Sequence, residues 1–372
     1  MGNMDIQEAR ARIQETDREI AALFLRRMEA VKAIAAYKQE RGLPVQDPER
    51  EAEVLRSHAA WIEDGALLPY YLRFQQDMMD VAKRYQHRLL DGARIAYSGV
   101  EGAFAHIAAR RIFPDGTAVA HGSFEEAYAA VLDGDCDCAV LPIENSYAGE
   151  VGLVLDLMFR GDLFVNAVYE LPVVQQLLGT QDATLEGVRK VLSHPQALAQ
   201  CRNYLQRRGF ASESAVNTAV AARTVAQQGD PTVAAIASTE TAALYGLKLL
   251  DHDINESRAN TTRFAVFSRT ENRPEAGRDS VFLLLFTVNH VAGALAKAIN
   301  VIGDNGFNMR VLRSRPMKTL AWKYYFYVEA EGDIRSERGR RMMGELSEHC
   351  PMLKVAGCYR GTETILEEAD IR

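Results

Sequence analysis

The chain of 372 residues carries a formal net charge of -7, with 48% hydrophobic and 25% charged residues. That length exceeds what one hydrophobic core fills, so two or three domains are expected. The acidic balance argues against a nucleic-acid-binding surface, which is usually basic, and leaves room for a local basic pocket around an acidic small molecule.

Residues 4–90 read as almost wholly helical. The first helix runs to about Arg41, where "GLP" at Gly42 to Pro44 breaks it. "DPEREAEVLRSHAAWIE" restarts the helix, with Asp47 as N-cap and Pro48 in the first turn. A third helix, "LLPYYLRFQQDMMDVAKRYQHRLL", begins near Pro69. The first helix is about 50 Å long by its rise, too long for its two companions to cover. It needs a partner, most simply its own copy in a dimer.

After "DGAR" the pattern alternates. "RIAYSG", "CAVLPIEN", "VRKVLSHP", "VAAIAS" and "TRFAVFS" read as strands, interleaved with helices such as "SFEEAYAAVLDG". Buried strands separated by helices indicate an α/β domain with a largely parallel sheet and functional residues at the carboxyl ends of its strands. "RTENRPEAGRDS", Arg269 to Ser280, reads as a polar linker. Beyond it, "SVFLLLFTVN", "AGALAKAINVIGDNG", "FNMRVLRSRP", "WKYYFYVEAEG", "SERGRRMMGELSEHC" and "MLKVAGCYR" follow the ferredoxin-like order βαββαβ.

Cys136, Cys138, Cys201, Cys350 and Cys358 form no dense framework, which suits a reducing compartment. The single-residue gap between Cys136 and Cys138 is not metal-ligand spacing. "MGNMDIQEAR" lacks the charged and apolar regions of a secretory signal. Ile6 stands where an acylation motif needs Ser or Thr, and "SVFLLLFTV" is too short to span a bilayer. A cytoplasmic protein without nucleic-acid or membrane partners is expected.

The first helix has a seam at Ile6, Arg10, Ile13, Asp17, Ile20, Phe24, Arg27, Val31, Ile34 and Lys38. Cations on an apolar stripe are costly unless paired. Arg10 and Lys38 lie near the helix ends and reach water by snorkelling, whereas Arg27 lies mid-helix. Arg10 and Arg27 stand about 25 Å apart, and Arg27 and Lys38 about 16 Å, so one helix cannot bring all three to one small ligand. An antiparallel copy brings Arg10 of one chain towards Arg27 and Lys38 of the other, in a pocket suited to a compact dicarboxylate. Arg50 and Glu51 at the start of the second helix and Gln86 near the end of the third add a clamp, a hydroxyl acceptor and a neutral donor.

With Arg10, Arg27, Lys38, Asp47, Arg50, Glu51 and Gln86 in place, residues 1–90 resemble the all-helical chorismate mutase domain. The resemblance implies an intertwined dimer that rearranges chorismate to prephenate without proton transfer. The catalyst holds a strained conformer and stabilises negative charge developing on the ether oxygen. It implies carboxylate clamps from Arg10 of the partner chain and from Arg27, with Lys38 and Gln86 at the ether oxygen and Glu51 at the ring hydroxyl. Ala82 stands where some members carry a small hydroxyl residue.

In the middle segment, "LPIENS" supplies Glu144, Asn145 and Ser146. "LSHPQALAQC" supplies Ser193, His194 and Gln200, "AVNTAVAA" supplies Thr218, and "NTTRFAVF" supplies Thr261, Thr262 and Arg263. Taken singly, such residues cap helices and turns, His194 before Pro195 included. No GxGxxG or Walker loop occurs. "PIENS", "SHPQ", "TRF" and "STETAALYGL" together resemble prephenate dehydratase over residues 93–270. The resemblance implies two α/β lobes around a cleft, as in two-lobed solute-binding proteins. It implies loss of carbon dioxide and water from prephenate, with Thr262 as donor to the leaving hydroxide and Arg263 on a substrate carboxylate. Glu144, Asn145, Ser146, Ser193, Gln200 and Thr218 would line the pocket.

Residues 278–372, through "AGALAKAINVIGDNGFNM" and "RSRP", resemble the ferredoxin-like ACT regulatory domain that binds phenylalanine. Gly293, Ala294, Leu295, Asn308 and Ser314 would face the effector, and Arg313 replaces the usual Glu ahead of "SRP". The expectation is a bifunctional enzyme of phenylalanine biosynthesis, a homodimer or dimer of dimers, needing no metal, nucleotide or flavin. A two-lobed sensor with mutase activity alone would use the same cleft; Thr262 beside Arg263 favours the enzyme.

Overall fold

The computed structural model describes residues 5–257, 259–273, 280–317 and 323–365. Residues 1–93 and 94–372 form two compact units. The expected linker from Arg269 to Ser280 lies partly, at 274–279, outside the described residues.

The first unit consists of helices α1 (Ile6–Arg41), α2 (Pro48–Ala59) and α3 (Leu68–Asp91). Gly42 ends α1 at φ 62°, a left-handed turn open to glycine without strain. The Asp47 carboxylate accepts the Arg50 N–H at 3.0 Å and caps α2. The apolar seam is only partly covered within one chain. Met28, Val31 and Ala35 bury about two turns of α1, with Met28 and Val31 against Ala82 and Tyr85 of α3. Ile13, Ile20 and Phe24 remain 61%, 46% and 39% exposed.

The second unit starts with β1 (Arg94–Ser98), α4 (Phe104–Ile112), β2 (Thr117–His121), α5 (Phe124–Leu132), β3 (Cys138–Asn145), β4 (Gly149–Glu150), α6 (Gly152–Arg160) and β5 (Phe164–Pro172). The chain then crosses to a second lobe: β6 (Gln176–Gly179), β7 (Lys190–Ser193), α7 (Pro195–Gln200), α8 (Arg202–Arg208), β8 (Ala211–Ser214), α9 (Thr218–Gln228), β9 (Val233–Ala237), α10 (Thr239–Tyr245) and β10 (Lys248–Asp251). It returns through β11 (Thr261–Ser268). The remainder is β12 (Ser280–Thr287), α11 (Ala294–Asp304), β13 (Asn308–Pro316), β14 (Tyr324–Glu331), α12 (Glu337–His349), β15 (Met352–Arg360) and β16 (Thr362–Thr364).

The second lobe has a five-stranded sheet in the order β10-β6-β9-β7-β8. The sheet of the first lobe is mixed rather than largely parallel. β1 runs parallel to β2 and β3, but the returning β11 enters antiparallel between β3 and β5. That insertion places Thr262 opposite Asn145, so the start of β11 shares an edge with the end of β3. The two crossings, β5 to β6 and β10 to β11, leave the cleft between the lobes.

β13-β14-β12-β15 is the ferredoxin-like order expected for the last segment. It is not a detached body, however. β15 and β16 both pair parallel with β5, so one eleven-stranded sheet runs through both parts. Leu141, Val165 and Phe267 share a core with Leu283, Tyr325 and Tyr359. The join needs Gly357, because a Cβ there would stand 2.1 Å from the Val165 carbonyl oxygen.

Candidate active sites

In the helical unit, a cavity of about 570 Å³ lies along α1 and α3, lined by Ile20, Phe24, Arg27, Phe74, Met78 and Val81 among others. Arg27 is half-buried and donates to the Met78 carbonyl at 3.3 Å, and burial lowers its pKa from the ordinary arginine value. Lys38, also half-buried, donates to the Val45 carbonyl at 2.6 Å. Glu51 is held at 2.8 Å by Lys83, a residue passed over in the sequence motif "AKRYQ", which also pairs with Asp80. Gln86 is buried, with its Nε2 on the Ala82 carbonyl at 3.4 Å and its Oε1 without a partner. Arg50 pairs with Glu53 on the surface, and Arg10 is exposed. Ala82 is not a vacancy in a polar row but part of the α1–α3 contact.

The cleft between the lobes of the second unit holds a cavity of about 340 Å³. Its apolar lining includes Phe104, Phe124, Val151, Val173 and Phe264. Its polar lining includes Asn145, Gln175, His194, Gln196, Gln200, Asn217, Thr218, Asn260 and Thr262, with Ser98 at the end of β1. Among the sequence-expected residues, Asn145, Gln200, Thr218 and Thr262 therefore meet. Thr218 opens α9, whose N-cap Asn217 accepts the Val220 N–H at 2.7 Å.

The orientation of Asn145 follows from its neighbours. Its Oδ1 accepts the backbone N–H groups of Tyr147 at 3.0 Å and Ala148 at 2.9 Å. Backbone donors have no alternative tautomer, so the amide nitrogen must face the other way. There Nδ2 donates to Asn260 Oδ1 and to Thr262 Oγ1, each at 2.9 Å. Asn260 Nδ2 donates in turn to Gln200 Oε1 at 3.1 Å, which also receives Gln175 Nε2 at 3.4 Å. Gln175 Oε1 is buried without a partner. Thr262 Oγ1 is thus already an acceptor, and its own hydrogen remains to be donated.

Four expected residues lie elsewhere. Successive side chains of a strand point to opposite faces. With Asn145 and Thr262 turned to the cleft, their neighbours Glu144 and Arg263 face the C-terminal strands. Arg263 makes two bonds to Glu329, at 3.0 and 2.9 Å, and one to Glu144 at 3.3 Å, so its guanidinium is not on the cavity wall. Burial by itself lowers the Arg263 pKa, but the hydrogen bonds and charge of Glu329 outweigh it and hold it above the ordinary value. Glu329, 2% exposed, shows the complement: burial raises its pKa, and Arg263 more than reverses this. Glu144 also bonds Arg313, which pairs with Glu150 at 3.8 Å, and Arg315 links Glu150 to Asp156. Ser193 is fully buried, its hydroxyl on the Ile236 carbonyl at 2.7 Å. Ser146 closes the loop to Ala259 and Thr261.

In the C-terminal strands, Gly293 starts α11 at φ 80°, next to Ala294 and Leu295. Asn308 donates to Glu331 at 3.0 Å, and Ser314 lies on the exposed side of β13. Gln175, Gln196 and Asn260 were not picked out from the sequence as pocket residues, although Gln196 belongs to "SHPQ" and Asn260 immediately precedes "TTRF".

Residues 9–87 match the chorismate mutase type II family, and residues 95–272 match the prephenate dehydratase family. A bifunctional chorismate mutase/prephenate dehydratase of Aquifex aeolicus is 31% identical over 369 residues, covering 95% of this chain and 98% of that protein. An arogenate dehydratase/prephenate dehydratase of Arabidopsis thaliana is 35% identical over 280 residues, covering 72% of this chain and 71% of the relative. The crystal structure of a prephenate dehydratase from Arthrobacter aurescens, in complex with L-Phe, superposes with a TM-score of 0.67 at 25% identity, over 72% of this chain and 89% of that one. A helical mutase unit followed by a cleft-bearing dehydratase defines an enzyme with two active sites on one chain. The chain belongs to the bifunctional chorismate mutase/prephenate dehydratase family. It rearranges chorismate to prephenate and converts prephenate to phenylpyruvate in phenylalanine biosynthesis.

Proposed function

We propose that Thr262 is the hydrogen-bond donor to the hydroxyl group that leaves prephenate, and that Asn145 sets it in that role. The observation that carries this reading is the fixed amide of Asn145, which fills the acceptor side of Thr262 and leaves its hydrogen for the substrate. In the reaction the ring carboxylate departs as carbon dioxide. Its bonding electrons move through the ring, which becomes aromatic, and expel the hydroxyl group at the opposite carbon. A donor at that oxygen lowers the barrier by stabilising the charge that develops there. The apolar lining of Phe104, Phe124 and Phe264 favours loss of the other charge, since a carboxylate is poorly solvated beside it. A Thr hydroxyl is too weak an acid to transfer its proton fully, so Thr262 acts as donor, and the hydroxide takes its proton from water on release. Arg263 has no place on the substrate in this reading; it ties β11 to β14.

The mutase reading places the open stripe of α1 against a second copy of the chain. Arg27 and Lys38, with Arg10 of the partner, would then bind the two carboxylates and the ether oxygen of chorismate, Glu51 and Gln86 the hydroxyl and ether groups, and Asp47 and Arg50 the pocket rim. The exposed Ile13, Ile20 and Phe24 support it. The reaction breaks a carbon–oxygen bond and forms a carbon–carbon bond within one molecule, so positioning and charge stabilisation suffice. The C-terminal strands, with Gly293, Ala294, Leu295, Asn308 and Ser314, form a phenylalanine-binding ACT domain in this reading; the ferredoxin-like order and the L-Phe complex of the Arthrobacter relative support it. Work in the cytoplasm as a dimer completes the proposal; among the described residues no helix is long and apolar enough to cross a membrane.

The test is one preparation and two rates. Wild-type protein given chorismate should yield phenylpyruvate without added cofactor. Thr262→Val should cut dehydration by about a hundredfold or more while chorismate disappears at the normal rate. Equal loss of both rates, or retention of both, overturns the role of Thr262.

A further inference from the structure

The dehydratase cavity contains one ionisable side chain that the reading above leaves unused. His194 lines the cavity, and none of the other lining residues is Asp, Glu, Lys, Arg, Cys or Tyr. Prephenate carries two carboxylates, so this lining must hold a dianion with neutral donors.

His194 is held in one orientation by its neighbours. Pro195 follows it and restricts it to extended backbone, observed at φ -61° and ψ 142°. From there its ring caps α7, with Nδ1 accepting the Gln196 N–H at 3.2 Å. An acceptor nitrogen carries no proton, so in the neutral ring the hydrogen is on Nε2. Burial lowers the His194 pKa, which keeps the ring neutral. The segments packed on α7 do not oppose this. β9 is uncharged, Glu213 of β8 is bound by Lys190 at 2.9 Å, and Glu256 is bound by the Asn203 N–H at 2.9 Å. Nε2 has no hydrogen-bond partner among the described residues. The same short helix also supplies Gln196, whose Nε2 reaches Asn145 Oδ1 at 3.3 Å, and the buried Gln200.

We propose that His194 is a substrate-binding residue of the dehydratase, donating Nε2–H to the side-chain 2-oxo-carboxylate of prephenate. This rests on the assignment of the cleft to prephenate. The choice of carboxylate follows from the chemistry. The ring carboxylate must lose its charge, and a donor bound to it would oppose that loss. The side-chain carboxylate stays charged from substrate to product, and a neutral donor with a locked tautomer suits a charge that persists. Its binding energy is uniform along the reaction and is read in KM rather than in kcat.

Two substitutions separate the nitrogens. His194→Asn keeps an acceptor at the capping position and loses the reach of Nε2. His194→Gln keeps a donor near the Nε2 position and loses the cap. We expect His194→Asn to raise the KM for prephenate about ten- to a hundredfold, the loss of one hydrogen bond to a charged group, with kcat within about threefold. His194→Gln should recover most of that loss. Phenylpyruvate keeps the side-chain carboxylate but has lost the ring carboxylate and the hydroxyl, so its inhibition constant should rise by the same factor as the KM in His194→Asn. An unchanged KM in His194→Asn overturns the proposal. A raised KM with unchanged phenylpyruvate inhibition overturns the choice of carboxylate, and a fall in kcat alone overturns the binding role. Failure of the underlying reading is distinguishable, because Thr262→Val would then leave dehydration intact.

Discussion

Replacing Asn145 by Asp changes one nitrogen to oxygen and little else in volume, which makes it a sharp test of how Thr262 is set. The Asn145 amide nitrogen donates to Asn260 Oδ1 at 2.9 Å, Thr262 Oγ1 at 2.9 Å and the Thr261 carbonyl at 3.3 Å. A carboxylate there can donate none of these. It faces the oxygens of Asn260 and Thr261, and it becomes an acceptor for the Thr262 hydroxyl. The hydrogen that should point at the substrate then turns to the carboxylate. Removing one such donor from a developing oxyanion costs roughly 2.7–4 kcal/mol, a fall of about 10²–10³ in kcat. The fold itself should lose about 1–3 kcal/mol, the cost of buried groups left unpaired. The assay follows phenylpyruvate formed from prephenate, with chorismate consumption by the same sample as the control. Running it near pH 8 keeps the new side chain ionised and prevents a protonated carboxyl from restoring a donor. A variant whose kcat stays within threefold of the original, with normal mutase rate, would refute the account of Asn145 as the residue that orients Thr262.

Glu329→Gln should destabilise the second unit by about 1–3 kcal/mol at neutral pH in urea unfolding, because Arg263 loses its two charged bonds to Glu329 and keeps Glu144, at 3.3 Å, as its carboxylate partner. It should also flatten the acid side of the profile. Arg263 keeps the folded-state pKa of Glu329 below the ordinary glutamate value, so this contribution is full above that value and disappears as pH falls through the folded-state pKa. A variant as acid-sensitive as the original would show that other carboxylates govern the loss. Phe24→Glu, on the open stripe of α1, should abolish self-association in sedimentation velocity together with mutase turnover, leaving dehydration intact; a dimeric, active variant would remove the helix pairing.

Much of this was legible in the sequence because the signals were periodic. The break at Gly42, the cap at Asp47 and the βαββαβ order of the last segment follow from local residues, and each is seen. Partnership between distant strands was not legible. Nothing local to "TRFAVFS" states that it inserts between β3 and β5, or that β15 docks on β5 through Gly357. The cleft amides were equally hidden, because Asn260, Gln175 and Gln196 read as turn residues until the lobes bring them together. Glu144 and Asn145, like Thr262 and Arg263, are neighbours on a strand, and strand alternation turns Asn145 and Thr262 towards the cleft and Glu144 and Arg263 towards the C-terminal strands.

That alternation has a mechanical consequence. On β3 and on β11, one residue serves the cleft and the next is held by charges from the C-terminal strands. Arg263 is fixed by Glu329 of β14, and Glu144 by Arg313 of β13. A shift of the β13–β14 edge relative to the dehydratase lobe would therefore act one residue away from both Asn145 and Thr262, without crossing the core. Arg313 fits this arrangement as a base because it stands between two acids, Glu144 and Glu150. An acid at the same position would put three carboxylates together and loosen the link to Glu144, leaving Arg263 and Arg315 as charged ties between the C-terminal strands and the lobe. In this chain Arg313 and Arg315 together tie β13 to Glu144 and Glu150, on the strands that border the cleft.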